Sequence, residues 1–178
     1  MIQRIQSVFL LLAACAMALL FAFPIANYQG QTTFGTGVSA ELRLIPQGQP
    51  DILAQIENGG DVIVGQGEIF TVWPLMLLAV LVLAVAVVSI FLFRNRVLQM
   101  RVVAVGFLLN VIYLFLTFFW AVDSFDEAVR ELNFLEGSLN MSYSIATWVP
   151  CVSVVMFLLA QRAIKRDEAK VRAADRLR

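Results

Sequence analysis

The chain has 178 residues, of which 60% are hydrophobic and only 15% are charged. A soluble domain of this length is about 45–50% apolar and about 25% charged, so the composition favours a membrane protein. The 13 basic and 13 acidic residues cancel, which leaves no overall field to attract nucleic acid. The sequence contains no histidine, so the commonest general base and metal ligand is missing.

Four apolar windows are long enough to cross a bilayer, which requires roughly 20 apolar residues per helix. They cover residues 5–23, 70–93, 102–122 and 143–160. Pro24 closes the first window, and Arg101 and Asp123 bracket the third. The sequence therefore predicts an all-α membrane protein in which residues 1–178 form a single domain, a bundle of four transmembrane helices.

The charges predict the orientation of these four spans. One side receives 11 of the 13 basic residues, and the loops on the other side receive 10 of the 13 acidic residues. Because basic residues near span ends stay in the cytoplasm, we expect both termini to be cytoplasmic, in a bacterial inner membrane. Trp73, Trp120 and Trp148 each lie at the predicted outer end of a span, where amphipathic rings are favoured.

The first window has two alternatives to an uncleaved span. It is long for a cleavable signal peptide and carries only Arg4 before the apolar run. "LAAC", residues 12–15, also fits a lipoprotein cleavage box in which Cys15 would be lipidated, but the apolar run continues beyond that cysteine. We favour an uncleaved span, with Cys15 and Cys151 as small packing residues.

Both predicted outer loops carry local structure signals. In the first loop, residues 24–69, two β-prone runs flank Asn58-Gly59-Gly60, which favours a small hairpin flap. Upstream, "SAELRLI" alternates as a half-exposed strand does. In the second loop, Ser124 and Glu127 form a capping-box pattern, so residues 124–136 are predicted as a short helix.

Few polar residues interrupt the predicted spans. Asn110 lies near the middle of the third span, where we expect an interhelical hydrogen bond or, alternatively, a ligand contact. Ala14, Ala18 and Ala22 recur every four residues, a stripe of small residues that lets a second helix approach closely.

Basic residues at the predicted cytoplasmic face are candidate contacts for anionic lipid or a protein partner. They are Arg94, Arg96 and Arg101 between the second and third spans and Lys165, Arg166, Lys170 and Arg172 in the tail. The tail, residues 161–178, also places Ile164 and Val171 at helical intervals, which predicts a basic amphipathic helix that continues the fourth span. The simpler alternative is a positive anchor with no further role.

Three segments carry a resemblance: "MIQRIQSVFLLLAA", "FLFRNRVLQMR" and "AIKRDEAKVRAADRLR". Together they resemble a family of small four-span inner-membrane proteins of Bacteroidota that is known only as a domain of unknown function. The resemblance implies a fold and a location, and it supplies no catalytic residue.

The sequence favours a non-enzymatic protein without cofactor, an accessory or scaffold subunit of a larger membrane assembly. No Asp, Glu, Lys or Arg interrupts the four windows, which argues against proton relays and ion paths. No phosphate loop, nucleophile elbow or metal-ligand motif is present in the sequence. The alternative is a protein that binds a small molecule or lipid in a pocket between the spans, near Asn110. The expected partners are the bilayer, other membrane subunits and anionic lipid at the tail.

Overall fold

The computed structural model describes residues 3–31, 37–44, 52–53, 73–124 and 140–176. Within these residues the chain forms four α-helices and one antiparallel sheet. The elements are α1 (Gln3–Leu19), β1 (Ala26–Gln31), β2 (Gly37–Leu42), β3 (Ile52–Leu53), α2 (Trp73–Phe91), α3 (Arg96–Leu116), β4 (Asn140–Tyr143) and α4 (Ile145–Arg176).

The chain divides into two compact units. The helical unit comprises Met1–Leu19, Leu77–Leu114 and Val149–Arg178, and the sheet unit comprises Leu20–Met76 and Phe115–Trp148. Each unit has its own packing.

Three of the described helices are long and apolar enough to cross a membrane. They cover Trp73–Phe91, Arg96–Ser124 and Ile145–Val171, with mean hydropathies of 2.9, 2.4 and 1.5. At most a third of the most apolar stretch in each helix is buried inside the chain, so large apolar side chains cover most of the remaining surface. Exposed apolar surface of this extent suits a lipid environment.

The first helix is shorter than the predicted span. The prediction gave 5–23, whereas α1 ends at Leu19 and its apolar part is Ile5–Leu19. The chain turns after Leu19 because the residues that follow hydrogen-bond to the sheet instead of continuing the helix. The backbone N–H of Ile25 donates to the carbonyl of Leu42 at 2.7 Å. Residues 20–23 therefore form a turn that leads into β1.

The helical unit packs through side chains that recur at intervals of three and four residues, as one face of a helix requires. On α2 the buried positions are Ala79, Val82, Ala86 and Ser89, and on α4 they are Pro150, Ser153, Phe157, Ala160, Ile164 and Asp167. The buried face of α4 thus extends seven residues beyond the predicted end of the fourth span at residue 160.

The third helix begins earlier than the predicted span and contains one irregular turn. The side chain of Gln99 donates to the carbonyl of Ser89 at 3.0 Å, which satisfies an acceptor in the last turn of α2. After Leu116 the helix continues through a π-helical turn, Thr117–Ala121, and ends at Ser124 in the described residues.

The sheet unit contains a four-stranded antiparallel sheet, in the order β3-β2-β1-β4, among the residues that the structure describes. β1 pairs with β2 from Ala26↔Leu42 to Gln31↔Gly37, and β4 pairs with the other edge of β1. Ile25 joins the sheet to the start of α4, because its carbonyl accepts from the backbone N–H of Ser144 and from the hydroxyl of Thr147.

The outer-loop predictions have different outcomes. The first four residues of "SAELRLI", 39–42, lie in β2, so the strand prediction is confirmed for that part of the run, whereas β1 and β4 were not predicted. The hairpin at Asn58-Gly59-Gly60 lies outside the described residues, as does the predicted helix after Ser124.

Candidate functional site

Two groups of predicted residues lie in the helical unit, and the first is centred on Asn110. Asn110 is fully buried, and its Nδ2 donates to the carbonyl of Pro150 on α4 at 3.5 Å. One turn further along α4, the hydroxyl of Ser153 donates to the carbonyl of Ala13 on α1 at 3.5 Å. These two long hydrogen bonds connect α3 to α4 and α4 to α1.

The amide oxygen of Asn110, unlike its nitrogen, has no hydrogen bond within the described structure. This oxygen, Oδ1, is buried. A buried amide oxygen that loses water without gaining a donor costs about 1–3 kcal/mol. Asn110 therefore contacts α4, as a packing role requires, and keeps one acceptor that a bound molecule could satisfy.

The predicted alanine stripe on α1 is not the face that packs within the chain. Ala14 is buried, Ala18 is exposed, and Ala22 is exposed in the turn beyond the helix. The buried face of α1 is instead formed mainly by Leu10, Ala13 and Met17. Because α1 ends at Leu19, the four-residue repeat does not continue to Ala22 on one helix, and within the chain only Ala14 packs.

The second group comprises the basic residues at one end of the helical unit. α3 and α4 are antiparallel, since Asn110 lies against Pro150 while Gly106 lies against Phe157. The start of α3 and the part of α4 after residue 160 are therefore at the same end. Five of the predicted cations lie at this end: Arg96, Arg101, Lys165, Arg166 and Lys170. The side chains of Arg94 and Arg172 are not among those that the structure describes.

The start of α3 forms an open groove with a volume of about 480 Å³. Its lining residues are Asn95, Arg96, Val97, Leu98 and Arg101. Arg101 is exposed and Arg96 is half-buried, while Val97 and Leu98 expose 53% and 47% of their surface. The groove thus combines two guanidinium groups with apolar side chains.

The end of α4 is not a free amphipathic helix. We name residues 161–176 the α4 extension. Ile164 is fully buried and Asp167 is 6% exposed, whereas Arg162, Lys165, Arg166 and Lys170 all point to the surface. The apolar face that predicted membrane binding is thus partly used for packing within the chain, although Val171 remains 43% exposed.

A buried polar pair that the sequence did not single out fixes this extension. The side-chain amide of Gln6 on α1 donates to Oδ2 of Asp167. Oδ1 of Asp167 is buried without a hydrogen-bond partner among the described residues. The available signal was the spacing of Asp167 from Ala160 and Ile164, which places the three residues on one helical face.

Within the part of the chain that the structure describes, no group of three or more His, Cys, Asp or Glu side chains is placed to hold a metal ion. Cys15 and Cys151 are free thiols, and Cys15 is exposed rather than packed.

The family model described as a domain of unknown function (DUF4293) matches residues 2–177. The chain belongs to this family. The match covers nearly all of the chain, which extends the resemblance from the three short segments to the residues between them. No curated protein matches the chain.

Proposed function

We propose that the chain is a non-enzymatic integral membrane protein that serves as an accessory or scaffold subunit of a larger inner-membrane assembly. The observation that carries this proposal is the α4 extension. Its basic side chains lie on the exposed face of a helix whose opposite face, at Ile164 and Asp167, packs against the rest of the helical unit. A surface that is ordered before binding loses less conformational entropy when a partner docks.

The proposed orientation has four spans with both termini in the cytoplasm. α1 contacts α4 at Ala13 and again at Gln6, which supports its crossing the membrane beside α4 despite its 17 residues. Exposed Arg101, Lys165 and Arg166 at one end of the helical unit would then lie on the cytoplasmic side. The resemblance adds a bacterial inner membrane, in Bacteroidota, as the proposed location.

The assembly proposal is tested by purification of the full chain in mild detergent. We expect a stoichiometric partner with wild type and its loss with the α4 variant, Lys165→Gln/Arg166→Gln/Lys170→Gln. The matched control is the groove variant, Arg96→Gln/Arg101→Gln, which removes cations at the same end and should retain the partner. A wild-type chain that purifies without any protein partner contradicts the proposal.

The second candidate function, a small-molecule or lipid pocket between the spans, is favoured by Oδ1 of Asn110, which is buried and has no hydrogen-bond partner among the described residues. Replacing Asn110 by Leu separates the two functions. A scaffold should keep its partner and lose only about 1 kcal/mol of stability, because interhelical hydrogen bonds in membranes contribute about that much. A pocket should lose a co-purifying molecule, while Leu108→Ala on the exposed face of α3 should retain it.

A further inference from the structure

The turn between α2 and α3 exposes large apolar side chains beside arginines. Phe91 and Phe93 expose 72% and 54% of their surface, and Val97 and Leu98 follow within five residues. In water these side chains would forfeit the stabilisation that burial gives, about 1.5–3 kcal/mol each. Exposed apolar groups next to cations are the composition that suits the boundary between headgroups and acyl chains.

The groove places both kinds of group around one space. Arg96 and Arg101 supply guanidinium groups, Val97 and Leu98 supply apolar walls, and none of the described residues that line the groove is acidic. The planar fork of arginine matches a phosphate, which it binds through paired, charge-assisted hydrogen bonds.

We infer that this groove binds one anionic phospholipid, with the phosphate at Arg96 and Arg101 and the acyl chains along Val97 and Leu98. The inference rests on the part of the proposed function that puts the chain in a membrane, and it does not depend on the assembly. The sequence offered basic residues of both the turn and the tail as candidate contacts for anionic lipid or a partner, and the inference assigns the lipid to the turn.

The α4 extension provides the contrast that supports this assignment. Its exposed large side chains between residues 162 and 170 are all charged, and the neighbouring Ile164 is buried. Among the described residues of the extension, Val171 is the one exposed large apolar side chain, so these cations lie beside less apolar surface than Arg96 and Arg101 do. Both the groove and the α4 extension carry cations, so charge alone does not identify the lipid site. The apolar area beside the cations does.

The test is native mass spectrometry of the delipidated full chain titrated with phosphatidylglycerol or with phosphatidylcholine. We expect one phosphatidylglycerol per chain, bound more tightly than phosphatidylcholine. The groove variant should weaken phosphatidylglycerol binding by about tenfold or more, since each interfacial cation adds measurably to attraction for anionic lipid. The α4 variant should change it less than twofold.

Two further measurements keep the assignment falsifiable. Val97→Ser/Leu98→Ser should also weaken phosphatidylglycerol binding, because the acyl chains lose their apolar contacts, while the unfolding midpoint stays within a few degrees of wild type. Glycerol 3-phosphate, which has the phosphate but no acyl chains, should not compete at equal concentration. Full competition would assign the groove to a soluble phosphate and overturn the lipid.

Three other outcomes would also overturn the inference: no lipid binding by wild type, equal losses in the groove and α4 variants, or an unchanged affinity in the groove variant. These outcomes are separate from the assembly test. Partner loss is expected only in the α4 variant, and lipid loss only in the variants of the groove.

Discussion

Gly106 lies where α2, α3 and α4 pack against one another in the helical unit. A Cβ atom at this position would lie 2.8 Å from Cε1 of Phe157 and 2.8 Å from Cγ1 of Val85. Phe157 is itself fully buried, so its ring has little room to withdraw. The absence of a side chain at residue 106 is thus what allows the three helices to approach this closely.

We expect Gly106→Ala to lower the free energy of unfolding by about 1–3 kcal/mol, the usual cost of overpacking a filled interior. The measurement is the thermal unfolding of the purified chain in one detergent. Leu108→Ala, on the exposed face of the same helix, is the control and should change stability little. Adding Phe157→Leu should restore part of the loss; a loss that stays additive in the double variant would show that the ring is not the obstacle.

For single residues, the sequence indicated which side chains need a polar partner better than it indicated which side chains are buried. Asn110 was singled out because an amide in an apolar helix needs a partner, and it is buried against Pro150. Asp167 was not singled out, because it lies among charged residues in the tail. Its burial depends on Gln6, 161 positions away, and local patterning carries no information about such a contact.

The contact between Gln6 and Asp167 belongs to the scale of elements, because it joins the start of α1 to the end of α4. A buried carboxylate is tolerated when donors surround it and becomes strongly destabilising when a donor is removed. Here one of its two oxygens already lacks a partner within the described structure.

We therefore expect Gln6→Leu to destabilise the chain by about 1–3 kcal/mol, since it leaves the carboxylate buried without its donor. The double variant Gln6→Leu/Asp167→Leu should recover most of that loss, because it removes both polar partners together. Thermal unfolding of both variants measures the difference. A double variant less stable than Gln6→Leu would mean that Asp167 stabilises the fold through other contacts.

Helices and strands differed in how well the sequence predicted them. Long apolar windows predicted α2, α3 and α4. α3 begins before its window and α4 continues beyond its window, because Gln99 and Asp167 outside those windows pack within the chain, whereas α2 lies inside its window of 70–93. β1, "ANYQGQ", contains no β-branched residue and one aromatic residue, Tyr28, so its local sequence gives only a weak strand signal. It becomes a strand because β2 and β4 pair with its two edges, and β4 is more than a hundred residues away.

For the whole molecule, the distribution of charge predicts a direction that thiol labelling can measure. In a background without Cys15 and Cys151, Val171→Cys should resist an impermeant thiol reagent applied to the outside and react after the membrane is permeabilised. Tyr143→Cys should react from outside, because it lies between the second outer loop and α4. Both residues are partly exposed, so burial within the chain does not hide them.

The opposite pattern of labelling would reverse the proposed orientation and remove the cytoplasmic partner from the proposal. Equal labelling of both residues before permeabilisation would contradict a chain that separates two compartments between them. The stability predictions do not depend on this result, because they rest on packing within the helical unit.

The buried Ile164 decides where the protein can be shortened. By composition the charged end looks dispensable from about residue 161 onward, yet a chain cut before Ile164 would lose the side chain that completes the interior of the helical unit. A chain cut after Val171 keeps Ile164, Asp167 and their contacts, and removes residues 172–178, of which 172–176 form the last helical turn and a half. Fusion partners and affinity tags therefore belong beyond that point, where they leave the interior intact.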